Sequence, residues 1–163
     1  MAYRKVVIMK VKLDKAKVED AEVLKAMSVL SFTSDYEQYG SYPPDIESLD
    51  WHKSAIAKGH YYKISYDDKI AGGICVIPSV NDLIKIKYFF ISDIYQNKGI
   101  GSTAMELIEK KYSNAKTWAL VTPYKAYRNH HFYEKLGYLK VGEVQPDPHN
   151  EFKIFKYKKE ILS

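Results

Sequence analysis

The chain has 163 residues and a mass of 18.9 kDa, with 46% hydrophobic and 28% charged residues, a length and composition that suit one globular domain with a sizeable core and exclude a disordered or low-complexity chain. No apolar run approaches the roughly 20 residues that span a bilayer, and "MAYRKVVIMKVKL" lacks the continuous apolar centre and cleavage site of a signal peptide, so the expected location is cytoplasmic, away from any membrane. The formal charge is +5, but 23 of the 25 basic residues are Lys and only Arg4 and Arg128 are Arg, which argues against the arginine forks that read bases and for a lysine-rich surface or a small anionic ligand, with no nucleic-acid partner expected.

In chain order, "YRKVVIMKVKL" (3–13) predicts a first strand, and Val18, Ala21, Leu24, Met27 and Leu30 then recur at helical spacing. The Gly, Pro-Pro and Tyr content of "TSDYEQYGSYPPD" (33–45) predicts a loop that ends this helix. A second helix restarts in "DIESLDWHKSAIAKG", with Asp45 as candidate N-cap, Ile46, Leu49, Lys53 and Ile56 on one face, and Gly59 as the stop. "HYYKISY" and "IAGGICVI" flank the turn "DDK" as a hairpin, and "DLIKIKYFFI" follows the loop "PSVN" as a fourth strand. Cys75, the only cysteine, lies in an apolar run and reads as a small buried thiol, so no disulfide can form within the chain.

"YQNKGIGSTAMELIEKK" (95–111) is a glycine turn running into an amphipathic helix that carries Ala104, Met105, Leu107 and Ile108. Strand, glycine turn and helix together form an anion-binding unit, because the first amides of a helix have no internal partner and the helix dipole favours negative charge there. "KTWALVT" (116–122) predicts a fifth strand, "AYRNHHFYEKL" a helix closed by Gly137, and "YLKVGEV" with "EFKIFKYKK" two last strands. The order is β-α-α-β-β-β-α-β-α-β-β. It predicts an α/β chain of α+β type, with one mixed, mostly antiparallel seven-stranded sheet and helices on both faces. The five histidines are scattered and give no metal spacing.

"QNKGIG" (96–101), between the fourth strand and a helix, resembles the Gln/Arg-x-x-Gly-x-Gly/Ala motif of the GNAT superfamily of acyl-CoA-dependent N-acetyltransferases, and "FYEKLGY" (132–138) resembles the superfamily's helix with the catalytic tyrosine. The likeness covers about residues 60–144, while 1–59 match only as one strand and two helices. It implies acetyl-CoA as co-substrate and a primary amine as acceptor, attacked directly in a ternary complex, in a monomer or homodimer. The amides of Gln96, Asn97, Lys98, Gly99, Ile100, Gly101 and Ser102 would cradle the pyrophosphate, with the hydroxyls of Ser102 and Thr103 and the charge of Lys98. The backbones of Phe89, Phe90 and Ile91 would pair with the pantetheine arm, and Tyr133 would be the general acid.

Two departures stand out. Relatives often carry Asn seven residues before the tyrosine, where this chain has Ala126; Asn129, four residues before Tyr133, is the candidate for that contact, with helix capping as its rival role. Many relatives also carry a glutamate base on the fourth or fifth strand, and neither strand here has a carboxylate. The base is then a water chain, Asp93 or His131, or the substrate arrives neutral. The family's acceptor cleft is bounded partly by the loop between the first two helices. Asp35, Glu37 and Tyr36, with Tyr39 and Tyr42, would attract a polyamine-like or aminoglycoside-like acceptor there; a protein or peptide amine, or coenzyme binding without catalysis, are the alternatives.

Overall fold

The computed structural model describes residues 10–39 and 45–162, with residues 34–39 described by their backbone alone. One seven-stranded sheet organises the chain: β1 (Val11–Lys15), β2 (Tyr61–Tyr66), β3 (Lys69–Pro78), β4 (Leu83–Ile91), β5 (Thr117–Pro123), β6 (Leu139–Val144) and β7 (Ile154–Glu160), in spatial order β1-β2-β3-β4-β5-β7-β6. Every neighbouring pair is antiparallel except β4 with β5, which is parallel and short. The helices are α1 (Ala21–Tyr39), α2 (Leu49–Ala57), α3 (Ile100–Lys111) and α4 (Tyr127–Lys135). The expected order of elements, mixed sheet and two helical layers are all present.

Two hydrophobic clusters flank the sheet. On one face α3 and α4 bury Ile100, Ala104, Met105, Ile108 and Tyr133 against Trp118, Leu120 and Tyr157. On the other, α1 and α2 bury Ala21, Leu24 and Ile56 against Tyr61, Cys75, Tyr88 and Phe90. Cys75 is indeed buried. The β2–β3 turn is tighter than "DDK": Asp67 and Asp68 both have positive φ, at 50° and 66°, the two-residue geometry that matches the twist of a hairpin.

Three expectations on the α1 and α2 side need correction. First, α1 does not stop near residue 32 but runs to Tyr39, because no Pro or Gly interrupts it before Gly40; the Thr33 and Ser28 hydroxyls bond back to the Val29 and Lys25 carbonyls, each at 2.8 Å, without ending it. Asp35, Tyr36 and Glu37 are therefore helical, not part of a loop. Their side chains, with Tyr42 and the first nine residues of the chain, lie outside what is described. Second, the buried face of α1 is Ala21, Leu24 and Ser28, while Val18 and Leu30 are exposed. A pure i+3 series rotates by about 60° at each step on a 3.6-residue helix, so five members cannot share one face.

Third, the N-cap of α2 is Ser48, whose hydroxyl accepts from the Trp51 amide at 3.0 Å. Asp45 instead sits in a turn with φ 69°. The register moves with it, so His52, Ala55 and Ile56 face the core and Lys53 is exposed. His52 is fully buried. Its Nε2–H donates to the Ile46 carbonyl at 2.8 Å, and its Nδ1 accepts from the Tyr61 hydroxyl at 3.0 Å. The neutral ring thus ties α2 to the turn before it and to β2.

No helix among the described residues is long and apolar enough to cross a membrane. Burial lowers the His52 pKa below its ordinary 6.5, outweighing the carbonyl bond that raises it. The unfolded chain then takes up the proton first, so the stabilisation from neutral His52 is complete above the unfolded value and is lost as pH falls through it. His52→Gln should be less stable than the parent at pH 7, and the difference should shrink between pH 7 and pH 5 in urea unfolding. Parallel pH profiles for the two proteins would contradict this reading.

Candidate active site

The site begins with a failure of strand pairing. β4 and β5 bond only where Leu83, Ile84 and Lys85 face Thr117, Trp118 and Ala119. Beyond that the two strands part, and one edge of β4 loses its neighbour from Ile86 to Ile91. The register against β3 shows which groups line that edge. The Ser92 amide donates to Ala71 at 2.7 Å, which makes Ser92 and Phe90 the residues bonded to β3 and turns the amides and carbonyls of Phe89 and Ile91 toward the gap. Phe90 is thus corrected as a backbone ligand: its peptide groups belong to β3, and its ring to the α1 cluster beside Phe32. The Ile91 carbonyl already accepts from Gln96 Nε2 at 2.9 Å, leaving its amide, with both groups of Phe89, for a ligand.

At the end of β4 the chain makes a 3-10 turn, Asp93–Tyr95, and then the glycine turn. Asn97 and Gly99 have φ of 64° and 75°. Gly99 is the N-cap of α3 and offers no side chain, and the first turn of α3 carries no acidic residue. The amides of Ile100, Gly101 and Ser102 meet no protein acceptor among the described residues, so the positive end of α3 is open to an anion. Gly101 fits against a stacked pair of rings, Phe89 and Phe132, 5.8 Å apart and 19° from parallel; a Cβ on it would stand 3.3 Å from Phe132.

Across the gap, Asn129 on α4 donates from Nδ2 to Thr122 Oγ1 at 3.2 Å, tying α4 to β5 rather than capping it. His130 is buried against Phe155 and donates from Nε2 to the Pro123 carbonyl at 3.0 Å. Tyr133 is 8% exposed, and its hydroxyl has no hydrogen-bond partner among the described residues. Burial pushes this phenol above the ordinary range near 10, so it holds its proton throughout the physiological range.

These groups line one cleft of about 1840 Å³. Phe89, Phe90, Ile91, Gln96, Asn97, Gly99, Ile100, Gly101, Ser102, Asn129 and Tyr133 all stand on its wall, as do Asp93 and His131, whereas Lys98 and Thr103 do not. Sequence reasoning passed over Arg128, whose Nη2 donates to Asn97 Oδ1 at 3.3 Å and places a guanidinium beside the glycine turn. Its scarcity and its place in the first turn of α4 were the available signal. Among the described residues no cluster of His, Cys, Asp or Glu could hold a metal ion.

A model of the Acetyltransferase (GNAT) family matches residues 24–138. The uncharacterized protein YrkN of Bacillus subtilis (strain 168) is 35% identical over 130 residues, 76% of this chain and 68% of that protein. Among solved structures, the PaiA N-acetyltransferase of Thermoplasma acidophilum in complex with coenzyme A superposes with a TM-score of 0.78 at 17% identity, covering 94% of this chain and 100% of that one. Arabidopsis thaliana Naa50, in complex with a CoA-containing bisubstrate analogue, gives 0.71 at 18% identity over 94% of this chain and 100% of its own. At such identities the structural likeness speaks for the fold.

The glycine turn is open to a stability test. Gly99 has φ 75° and nothing within 4 Å of a Cβ built on it, so Gly99→Ala should cost only the left-handed backbone term, about 1–2 kcal/mol. Gly99→Asn should cost less. Equal urea midpoints for parent and alanine variant would show that the turn relaxes to another conformation.

Proposed function

The chain belongs to the acetyltransferase (GNAT) family, and we propose that it moves the acetyl group of acetyl-CoA to a primary amine, by direct attack with both substrates bound. The observation that carries this reading is the parting of β4 from β5 next to the open start of α3. A ligand with a pyrophosphate and an amide-bearing arm matches that pair of features: the phosphates match the amides of Ile100, Gly101 and Ser102 with Arg128 alongside, and the arm matches the unpaired groups of Phe89 and Ile91. Gly101 lets the start of α3 lie against the Phe89–Phe132 pair, where a Cβ would stand 3.3 Å from Phe132. The role expected of Lys98 rests on charge alone, since its side chain stands off the cleft wall. When bound, acetyl-CoA supplies an activated acetyl thioester.

Tyr133 is the proposed general acid. Its phenol is protonated, lines the cleft and has no protein partner, and it can give that proton to the departing sulfur. A phenol pushed above its ordinary range is a poor acid in the resting site but matches a thiolate, itself a strong base when it leaves into a buried gap. The amine nitrogen attacks the carbonyl carbon, the carbon–sulfur bond breaks, and the amine's surplus proton leaves toward solvent or toward Asp93 or His131, an exposed carboxylate and an exposed imidazole on the cleft wall. Cys75, the only cysteine, does not line the cleft, and burial pushes its thiol up to about 12; this favours direct transfer over an acyl-enzyme.

Two variants test the assignment. Tyr133→Phe should keep acetyl-CoA binding and lower turnover by roughly 10² or more, the range for a lost general acid; turnover within a factor of two, with chemistry limiting, would make Tyr133 structural. Gly101→Glu puts a carboxylate in the anion cradle, and should abolish thermal stabilisation by acetyl-CoA while the apo protein keeps its circular dichroism. Unchanged stabilisation would remove the cradle from the coenzyme site.

A further inference from the structure

The cleft opens on both faces of the sheet. On the face of α3 and α4 its wall combines aromatic rings with Arg128 and Lys135 of α4. On the opposite face α1 lies over β3 and β4 and α2 over β2, while β5, β7 and β6 stay bare: Val121 is 60% exposed and Leu139 70%. Strand register sets a row of three residues on this bare face. Ile84 pairs with Trp118, which points into the α3 cluster, so the next pair, Lys85 and Ala119, points the other way; Ala119 in turn faces Lys158 of β7. The two lysine stems stand about 10 Å apart, two strand spacings, with only the alanine methyl between them. Lys156, opposite Val121, begins the next row.

Lys85, Lys156 and Lys158 all stand on the cleft wall and form no ion pair with any described carboxylate. Lys87, beside them, faces Asp45 at 4.0 Å. Glu160, opposite Thr117, shares the bare face two residues from Lys158 but stands off the cleft wall, and the described wall itself carries two carboxylates, Asp93 and Asp147. Asp93 lies past the far end of β4, at the glycine turn. Asp147 is held in its own loop, accepting from the His149 amide at 2.9 Å and from Asn150 Nδ2 at 3.2 Å.

We infer that the acceptor amine carries an anionic group, a carboxylate or a phosphate, which the Lys85–Ala119–Lys158 row and Lys156 bind on the bare side of the β4–β5 gap. The inference rests on the acetyl-transfer reading above and deepens it. Three unpaired ammonium groups repel a polycation and concentrate an anion, which turns the acceptor away from polyamines and aminoglycosides. The same charge does a second task. An amine brought among ammonium groups loses its own proton more readily, since a like charge disfavours its charged form. A neutral nucleophile then forms without the strand carboxylate that β4 and β5 lack. The anionic group can belong to a free amino acid or to acidic residues behind a peptide N-terminus; the chemistry is shared, and the assay separates the sources.

The test measures kcat/KM for released thiol with acetyl-CoA and five amines: the peptides Ala-Asp-Asp-Ala, Ala-Asn-Asn-Ala and Ala-Arg-Arg-Ala, free glutamate, and spermidine. Calorimetric binding of acetyl-CoA is measured beside it. The expected result is at least a tenfold preference for the acidic peptide or for glutamate over the neutral and cationic amines at low salt, shrinking at 0.5 M salt as screening takes over (about a 10 Å Debye length at 0.1 M). The leading acceptor of the two anionic probes names the source. The double change Lys156→Glu with Lys158→Glu should invert the order and leave acetyl-CoA affinity unchanged. A preference for spermidine or the arginine peptide, an order that the double change does not alter, or acetyl-CoA binding with no amine acetylated would each overturn the acceptor class while the coenzyme reading stands. Loss of acetyl-CoA binding by the parent protein itself would overturn both.

Discussion

Backbone hydrogen bonding is costly to leave unmet inside a folded chain, and the candidate site lies where the sheet leaves it unmet. A strand edge in a buried position is costly unless something pairs with it. β4 and β5 satisfy each other over three residue pairs and then separate, so the edge of β4 beyond Lys85 needs a substitute partner. The start of α3, whose first amides have no acceptor, needs one too. Both deficits fall within the same cleft, a few residues apart in the chain. A ligand that presents acceptors for helix amides at one end and a peptide-like arm at the other meets them together. The rest of the architecture, a central parallel pair in an otherwise antiparallel sheet, follows from keeping that gap open: β5 must run beside β4 in the same direction to leave its C-terminal half free, and α3 is the crossover that such a parallel connection requires.

The gap is held at three points. On its α3 side the stacked rings of Phe89 and Phe132 bridge β4 and α4, with Gly101 fitted beneath them. Across it, Asn129 anchors α4 to Thr122 of β5. At its mouth, Gln96 and Ser31 both reach the Ile91 carbonyl, at 2.9 and 3.4 Å, so the last peptide of β4 is tied to the glycine turn and to α1 together. Such ties fix where an acetyl group would lie relative to Tyr133, and positioning of this kind accounts for much of what a transferase must supply.

The sequence made the order of elements, the glycine turn and the second motif legible, because each has a local cause: alternation in strands, a left-handed glycine before a helix, a helix stop at Gly137. What stayed hidden depends on partners distant in the chain. Tyr88 and Phe90 pack under α1 while Ile84 and Ile86 pack under α3, although all four are even-numbered residues of one strand. The reason is a bulge: Tyr88 pairs with Cys75 and Ile86 with Val76, which leaves Lys87 as an extra residue that moves the alternation to the other face. No periodicity count reveals such a slip. The extension of α1 through "SDYEQY" was hidden differently. Asp, Tyr and Ser are weak helix formers that also serve in turns, and it takes the preceding helix and its packing on β4 to decide between the two uses. Arg128 escaped notice because its neighbourhood is made by the fold, with 31 residues separating it from Asn97.

The same bulge bears on the chemistry. By shifting the alternation it sends Lys85 to the bare face and Lys87 toward Trp51 and Tyr88, whose rings lie 5.6 and 5.4 Å from its ammonium group. A regular strand would give all four apolar residues to one cluster and leave the bare face without Lys85, with only Lys156 and Lys158 of β7 remaining there. With the bulge, one strand serves three purposes: Phe89 and Ile91 present backbone to the gap, Tyr88 and Phe90 hold α1, and Lys85 charges the far side. The switch of the alternation and the place of Lys85 therefore come from one local irregularity in β4, beside a gap whose two strands carry no carboxylate.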